Sequence, residues 1–239
     1  MSIERDLEGW TLAFDLDGTL VESAPDLVGT LNRMLVKEGL PMVPADGARK
    51  LIGGGARALL VHGFEAAGAP AEQAHRQDLF DDFIADYIEH IADESVPFEG
   101  VHETLESLSE RGATLIVVTN KLTHLSQKLM DALDLTRHFA DIIGPDKVSA
   151  KKPSGAHLNE AVGLIQGDPK KVIMVGDAAP DIGTARDAGL PVIGVTFGYT
   201  PTPMEELMPD VIVDAFEDIE EAVDMIVVEH YVNMAVSLG

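Results

Sequence analysis

Apolar residues fall along the chain in two rhythms. Short, nearly continuous, β-branched runs recur at Thr11–Leu16, Thr114–Thr119, Asp141–Gly144, Val172–Gly176, Val192–Thr196 and Val211–Val213, each of a length that suits a buried strand. Between the later runs the apolar positions space out as on a helix, as in Leu105 and Leu108 or Leu125, Leu129 and Leu133. Strands alternating with helices imply βαβ units, and strands apolar on both sides imply helices on both sheet faces. The expected core is a Rossmann-like, doubly wound parallel α/β sheet.

The stretch from Glu22 to about Val96 breaks this rhythm. It is too long for a crossover and contains no convincing strand. Leu27, Val28, Leu31, Met34 and Leu35 mark one helix, and Leu79, Phe80, Phe83, Ile84, Tyr87, Ile88 and Ile91 mark another. Arg57 to Ala67 suits a third, and Pro97 and Gly100 mark the return to the sheet. The expected division is a core of residues 1–21 and 96–239, interrupted by a helical module over 22–95.

Ligands of open parallel sheets bind outside the carboxyl ends of the strands, and there the polar exceptions collect. "TLAFDLDGTL" ends the first strand in Asp15 and Asp17, "TLIVVTN" ends in Thr119 and Asn120, "VSAKKPSG" supplies Lys151 and Lys152, and "VIMVGDAAPDIGTA" carries Asp177 and Asp181. Taken singly, each is an ordinary turn, a β-branched strand end or a helix cap. Together at one rim they describe phosphoryl transfer. Asp15 would attack phosphorus, and Asp17 would protonate the leaving oxygen and then activate water. Gly18 would allow a tight turn beside the substrate, Thr119 would donate a hydrogen bond, and Lys152 would balance charge. Asp177 would complete a Mg²⁺ site, with Asp181 supporting it or orienting Lys152.

Composition narrows the partners. With 41 acids against 17 bases the formal charge is −24, which repels nucleic acid and anionic membrane and makes a local cation necessary for any phosphate substrate. The 239 residues contain no cysteine, consistent with a reducing cytoplasm, and Met1–Gly9 lacks a signal-peptide apolar region. No two histidines stand three or four apart to hold a metal on a helix. The expected partner is a small phosphorylated metabolite, met by a monomer or a homodimer in the cytoplasm.

The motifs "DLDGT", "VVTN", Lys152 in "KKPSG" and "GDAAPD" resemble those of the haloacid dehalogenase superfamily of phosphotransferases, and the resemblance runs from about Thr11 to Asp214. It implies that Asp15 is the nucleophile, Asp17 the acid and base, and that Mg²⁺ is held by Asp15, the Asp17 carbonyl and Asp177. It also implies that the helical module is a cap closing over the substrate. Within the superfamily, "AFDLDGTLVESAPDL", "LIGGGARALL", "VVTNK", "DIIGPDKVSAKKPSG" and "VIGVTFGYT" resemble the bacterial branch acting on 2-phosphoglycolate. Ala178, Ala179 and Pro180, and the "SG" after Lys152–Pro153, depart from that branch's usual residues. Other small-phosphate phosphatases, sugar-phosphate mutases and, in a different class, phospho-acceptor signalling domains share parts of the same chemistry. "IGGGAR" (52–57) lacks the dinucleotide-binding pattern and follows no strand. It reads either as a turn between helices or as a loop whose N–H groups and Arg57 face the substrate carboxylate when the cap closes. Asn120, beside Thr119, is a further substrate-binding candidate.

Overall fold

The computed structural model describes residues 7–237. In chain order the elements are β1 (Thr11–Phe14), β2 (Val21–Glu22), α1 (Ala24–Lys37), α2 (Ala45–Arg49), α3 (Ala56–Ala66), α4 (Ala71–Ala74), α5 (Gln77–Glu89) and β3 (Val96–Pro97). There follow α6 (Val101–Glu110), β4 (Thr114–Val118), α7 (Thr123–Ala132), β5 (Asp141–Ile143), α8 (Gly155–Leu164), β6 (Val172–Gly176), α9 (Ala179–Ala188), β7 (Val192–Val195), α10 (Met204–Leu207), β8 (Val211–Val213) and α11 (Ile219–Ser237).

Six strands form one sheet in the order β5-β4-β1-β6-β7-β8, and every pairing in it is parallel. All six carboxyl ends therefore lie on one rim. Side chains alternate across the sheet, as strand geometry requires. Leu12, Phe14, Leu115, Val117, Ile173 and Val175 join one apolar cluster, while Ala13, Ile116, Val118, Val172 and Met174 join another on the opposite face. Leu158, Ala161 and Ile182 of α8 and α9 cover the second face. Leu105, Leu129 and Val223 of α6, α7 and α11 cover the first. The chain thus has the doubly wound α/β architecture.

Helices α1 to α5 occupy the interval between β2 and β3. Their apolar faces, including Leu31, Phe64 and Phe83, are continuous with the first sheet cluster, so the insertion and the sheet share one core. Two features escaped the sequence pattern. Residues 21–22 and 96–97 pair as an antiparallel ribbon at the two ends of the insertion, where no strand was expected; two residues are too few to show a period. Short α2 and α4 were hidden for the same reason.

The return from the insertion is pinned by one buried side chain. Asp26 of α1 accepts hydrogen bonds from the backbone N–H of Glu94 (3.1 Å to each oxygen) and from the N–H (2.8 Å) and hydroxyl (2.6 Å) of Ser95. Removing a buried acceptor leaves its donors unsatisfied, a loss of about 1–3 kcal/mol. Asp26→Ala is expected to lower the unfolding free energy by that amount, read as a lower urea midpoint with an unchanged slope. An unchanged midpoint would show that the return loop is held by other contacts.

Candidate active site

Three parallel strand ends meet at the centre of the rim. β1 leads to Asp15 and Asp17, β4 to Thr119, Asn120 and Lys121, and β6 to Asp177. Lys152 comes from the loop before α8, and Asp181 from the first turn of α9.

Lys152, 2 % exposed, sits between two carboxylates. Its Nζ lies 2.7 Å from Asp15 Oδ1 and 2.6 Å from Asp181 Oδ1. Burial disfavours its ammonium, but Asp15 and Asp181 outweigh that and hold its pKa above the usual lysine value. The other oxygen of Asp181 accepts from the backbone N–H of Ala178 at 3.0 Å, so one side chain both caps α9 and fixes the lysine. Pro180 fits here because the first turn of a helix does not need its N–H.

Asp177 completes a cluster. Oxygens of Asp15, Asp177 and Asp181 lie within 4.8 Å of one another, all three residues buried. Asp177 is oriented by the hydroxyl of Thr19 (3.2 Å) and the backbone N–H of Tyr199 (2.7 Å). Its surroundings are cut close: a Cβ on Gly18, at φ 89°, would lie 2.6 Å from Asp177 Oδ2, and one on Gly198 would collide with the same side chain. Burial, then the charges of Asp181 and Asp15, push the Asp177 carboxyl well above the usual range. Burial also raises Asp15 to about 6, with Lys152 opposing and Asp181 adding to the rise. Three buried carboxylates facing one ammonium leave excess negative charge, and an all-oxygen donor set suits a hard divalent cation. The residues present fit such an ion.

Asp17 faces another way. Its Oδ1 accepts from the hydroxyl of Ser23 at 2.5 Å, and Lys121 Nζ bonds Oδ1 and Oδ2 at 2.8 and 3.0 Å. Burial disfavours charge on Lys121, yet Asp17 and Tyr87 offset it and raise its pKa. Thr119 Oγ1 accepts from the Lys121 N–H at 3.2 Å, leaving the hydroxyl proton to donate elsewhere. Asp15, Asp17, Thr119, Asn120 and Lys121 line a cavity of roughly 230 Å³, closed on the other side by residues of the helical insertion. That volume is below the about 300–1,000 Å³ of pockets for drug-sized ligands.

Two further expected residues have other engagements. Asn120 donates to the carbonyls of Gly53 (3.2 Å) and Lys152 (3.3 Å) and accepts from the Lys152 N–H at 3.0 Å. Its side chain thus ties the lysine loop to the insertion. Arg57 lines the cavity mouth, but its guanidinium stacks on Phe80 (4.0 Å to the ring centroid) and hydrogen-bonds Gln77. The glycine run before it has a packing reason: a Cβ on Gly55, at φ 86°, would come 3.0 Å from the Asn120 carbonyl.

Lys121, Thr19, Ser23 and Tyr199 were not among the candidates. Tyr199 accepts through its hydroxyl from the N–H groups of Ser23 (2.7 Å) and Ala24 (3.0 Å) and donates to Glu22 at 2.8 Å. It therefore ties the loop after β7 to the start of α1. The strand-end rule that singled out Thr119 reaches Lys121 and Tyr199 as well.

The raised carboxyls set a testable sign. In the metal-free chain the folded state binds more protons than the unfolded state from the ordinary 3.8 of Asp15 up to about 6. Its stability therefore falls as pH rises through that window. Asp177→Asn removes one of the crowded carboxyls. In EDTA at pH 7 the variant is expected to melt several degrees above the parent, since 1 kcal/mol is worth about 2–4 °C at this size, and Mg²⁺ is expected to stabilise the parent only. A lower melting point for the metal-free variant would contradict this charge balance.

Comparison with known proteins agrees with the geometry. Residues 12–195 match the family model described as haloacid dehalogenase-like hydrolase. A phosphoglycolate phosphatase of Caulobacter vibrioides is 49% identical over 222 residues, 93% of this chain and 94% of that protein. One of Agrobacterium fabrum is 43% identical over 87% of this chain and 90% of its own length. Among solved structures, a predicted phosphoglycolate phosphatase from Haemophilus somnus superposes with a TM-score of 0.81 at 33% identity, over 90% of this chain and 98% of that one. The chain belongs to the haloacid dehalogenase-like hydrolase family.

Proposed function

We propose that the chain is a Mg²⁺-dependent phosphatase that hydrolyses 2-phosphoglycolate to glycolate and phosphate through an aspartyl-phosphate on Asp15. The observation that carries this reading is the buried contact of Asp15 with Lys152 at 2.7 Å, beside Asp177 and opening onto the cavity that also holds Asp17. The identity to phosphoglycolate phosphatases along most of the chain supports the substrate.

Thr119 and the N–H groups after Asp15 hold the phosphoryl oxygens, and Lys152 offsets their charge. An Asp15 oxygen bonds to phosphorus as the ester P–O bond breaks, and the departing glycolate oxygen takes a proton from Asp17. Water then attacks the phosphorus of the acyl phosphate and loses a proton to Asp17, which frees phosphate and restores Asp15. Mg²⁺, held by Asp15, the Asp17 carbonyl and Asp177, would neutralise nucleophile and phosphate so that two anions can meet. In this reading residues 22–95 act as a cap over the cavity, excluding bulk water from the acyl phosphate.

The test is phosphate release from a panel of 2-phosphoglycolate, hexose phosphates, nucleotides and pyrophosphate. Mg²⁺-dependent turnover is expected to favour 2-phosphoglycolate. Asp15→Asn should lower kcat by on the order of 10⁴ or more, and Asp17→Asn by about 10²–10⁴. Preferred turnover of a hexose phosphate would keep the chemistry and remove the substrate. Full activity in Asp15→Asn would remove the chemistry.

A further inference from the structure

One buried cation of the cavity has no task in the phosphoryl chemistry. Lys121 is 7 % exposed, and its ammonium lies on Asp17 on one side and 4.6 Å from the centroid of the Tyr87 ring on the other. Tyr87 comes from α5 of the helical insertion, is 1 % exposed and lines the same cavity. Its hydroxyl oxygen is buried with the Lys121 ammonium nearby but with no partner at good hydrogen-bond geometry. A buried hydroxyl without a partner is unfavourable, and native structures seldom keep one without a use.

The Lys121–Asp17 pair also stands in the way of the reaction. Both oxygens of Asp17 are bonded by the ammonium and one also by Ser23, so most of its acceptor sites are engaged before a leaving oxygen arrives. An incoming anion would change that. In a 2-phosphoester of glycolate the carboxylate is one carbon beyond the ester oxygen. With phosphorus at Asp15 and the ester oxygen toward Asp17, Lys121, which touches Asp17 and lines the same cavity, is a buried cation within reach of that carboxylate. The other cations lining the cavity, Arg57 and Lys151, are exposed, and Arg57 is turned onto Phe80 and Gln77.

We propose that Lys121 and the Tyr87 hydroxyl form the subsite for the substrate's carboxylate, and that Lys121 exchanges Asp17 for that carboxylate, releasing Asp17 to serve the ester oxygen. This deepens the phosphatase reading and rests on it. Selection for a carboxylate one carbon from the ester oxygen then comes from two sources. The anion gains charge-assisted hydrogen bonds, and a phosphate ester lacking it leaves Asp17 engaged. Because Tyr87 belongs to the insertion and Lys121 to the sheet, the subsite is complete only when the two halves are together.

Binding of two phosphonates to the Mg²⁺-loaded full chain, measured by calorimetry, tests this without turnover. 3-Phosphonopropionate, in which a methylene replaces the ester oxygen, carries the carboxylate at the same spacing, and propylphosphonate has similar size without it. The parent is expected to favour 3-phosphonopropionate by about 10- to 100-fold, the range of hydrogen bonds to charged groups. Lys121→Met should bring the ratio close to one, and Tyr87→Phe, which deletes a single oxygen, should lower it several-fold while the melting curve stays cooperative. Equal binding of both phosphonates by the parent overturns the subsite and leaves the phosphatase reading standing; binding of neither overturns both. A ratio kept in Lys121→Met and Tyr87→Phe, or lost in Arg57→Ala alone, also overturns it.

Discussion

The contact of Lys152 with Asp15 and Asp181 is the constraint around which the rim is arranged. An ammonium buried to this degree requires paired carboxylates, and it finds them at 2.7 and 2.6 Å. Asp181 can reach it because α9 begins directly after β6, and the same side chain closes the helix start. A third buried carboxylate, Asp177, then exceeds what one lysine can balance. That surplus suits a divalent cation, and in the proposed reaction such a cation would let an anionic substrate enter a protein of charge −24. Glycines at 18 and 198 follow from the same crowding, since any side chain there would strike Asp177.

The helical insertion is bound to this rim by polar contacts as well as by the shared apolar core. Tyr199 joins the loop after β7 to the start of α1, Asp26 joins α1 to the return loop before β3, and Asn120 joins the Lys152 loop to Gly53. The residues that orient the candidate catalytic groups are thus partly the residues that hold the insertion. A shift of the insertion would be felt at Lys152 through Asn120 and at Asp17 through Ser23.

The sheet was legible because its strands are apolar on both faces, and helices α1, α3 and α5 because their apolar positions repeat over several turns. Strand ends alone pointed to Asp15, Asp17, Thr119 and Asp177, since parallel strands bring their carboxyl ends together. The ribbon at the ends of the insertion was not legible, being two residues a side. Nor was the direction of a side chain: the sequence leaves the Arg57 loop either a turn or a substrate contact, and in the structure Arg57 lines the cavity with its guanidinium stacked on Phe80 of α5. Lys121 stands at a strand end the rule reaches, but its role was hidden, because its partners Asp17 and Tyr87 lie 104 and 34 positions away and meet it only through the fold. Partnerships of that range leave no periodic trace.

The central claim is that Asp15 takes the phosphoryl group, with Lys152 beside it and a cation shared with Asp177. The most direct measurement is a crystal structure of the chain with Mg²⁺ and beryllofluoride, which mimics an acyl phosphate. The account predicts beryllium bonded to an Asp15 oxygen, Mg²⁺ ligated by Asp15 and Asp177, and the Lys152 ammonium in contact with fluoride. Beryllofluoride on a different carboxylate, or Mg²⁺ bound away from Asp177, would contradict it.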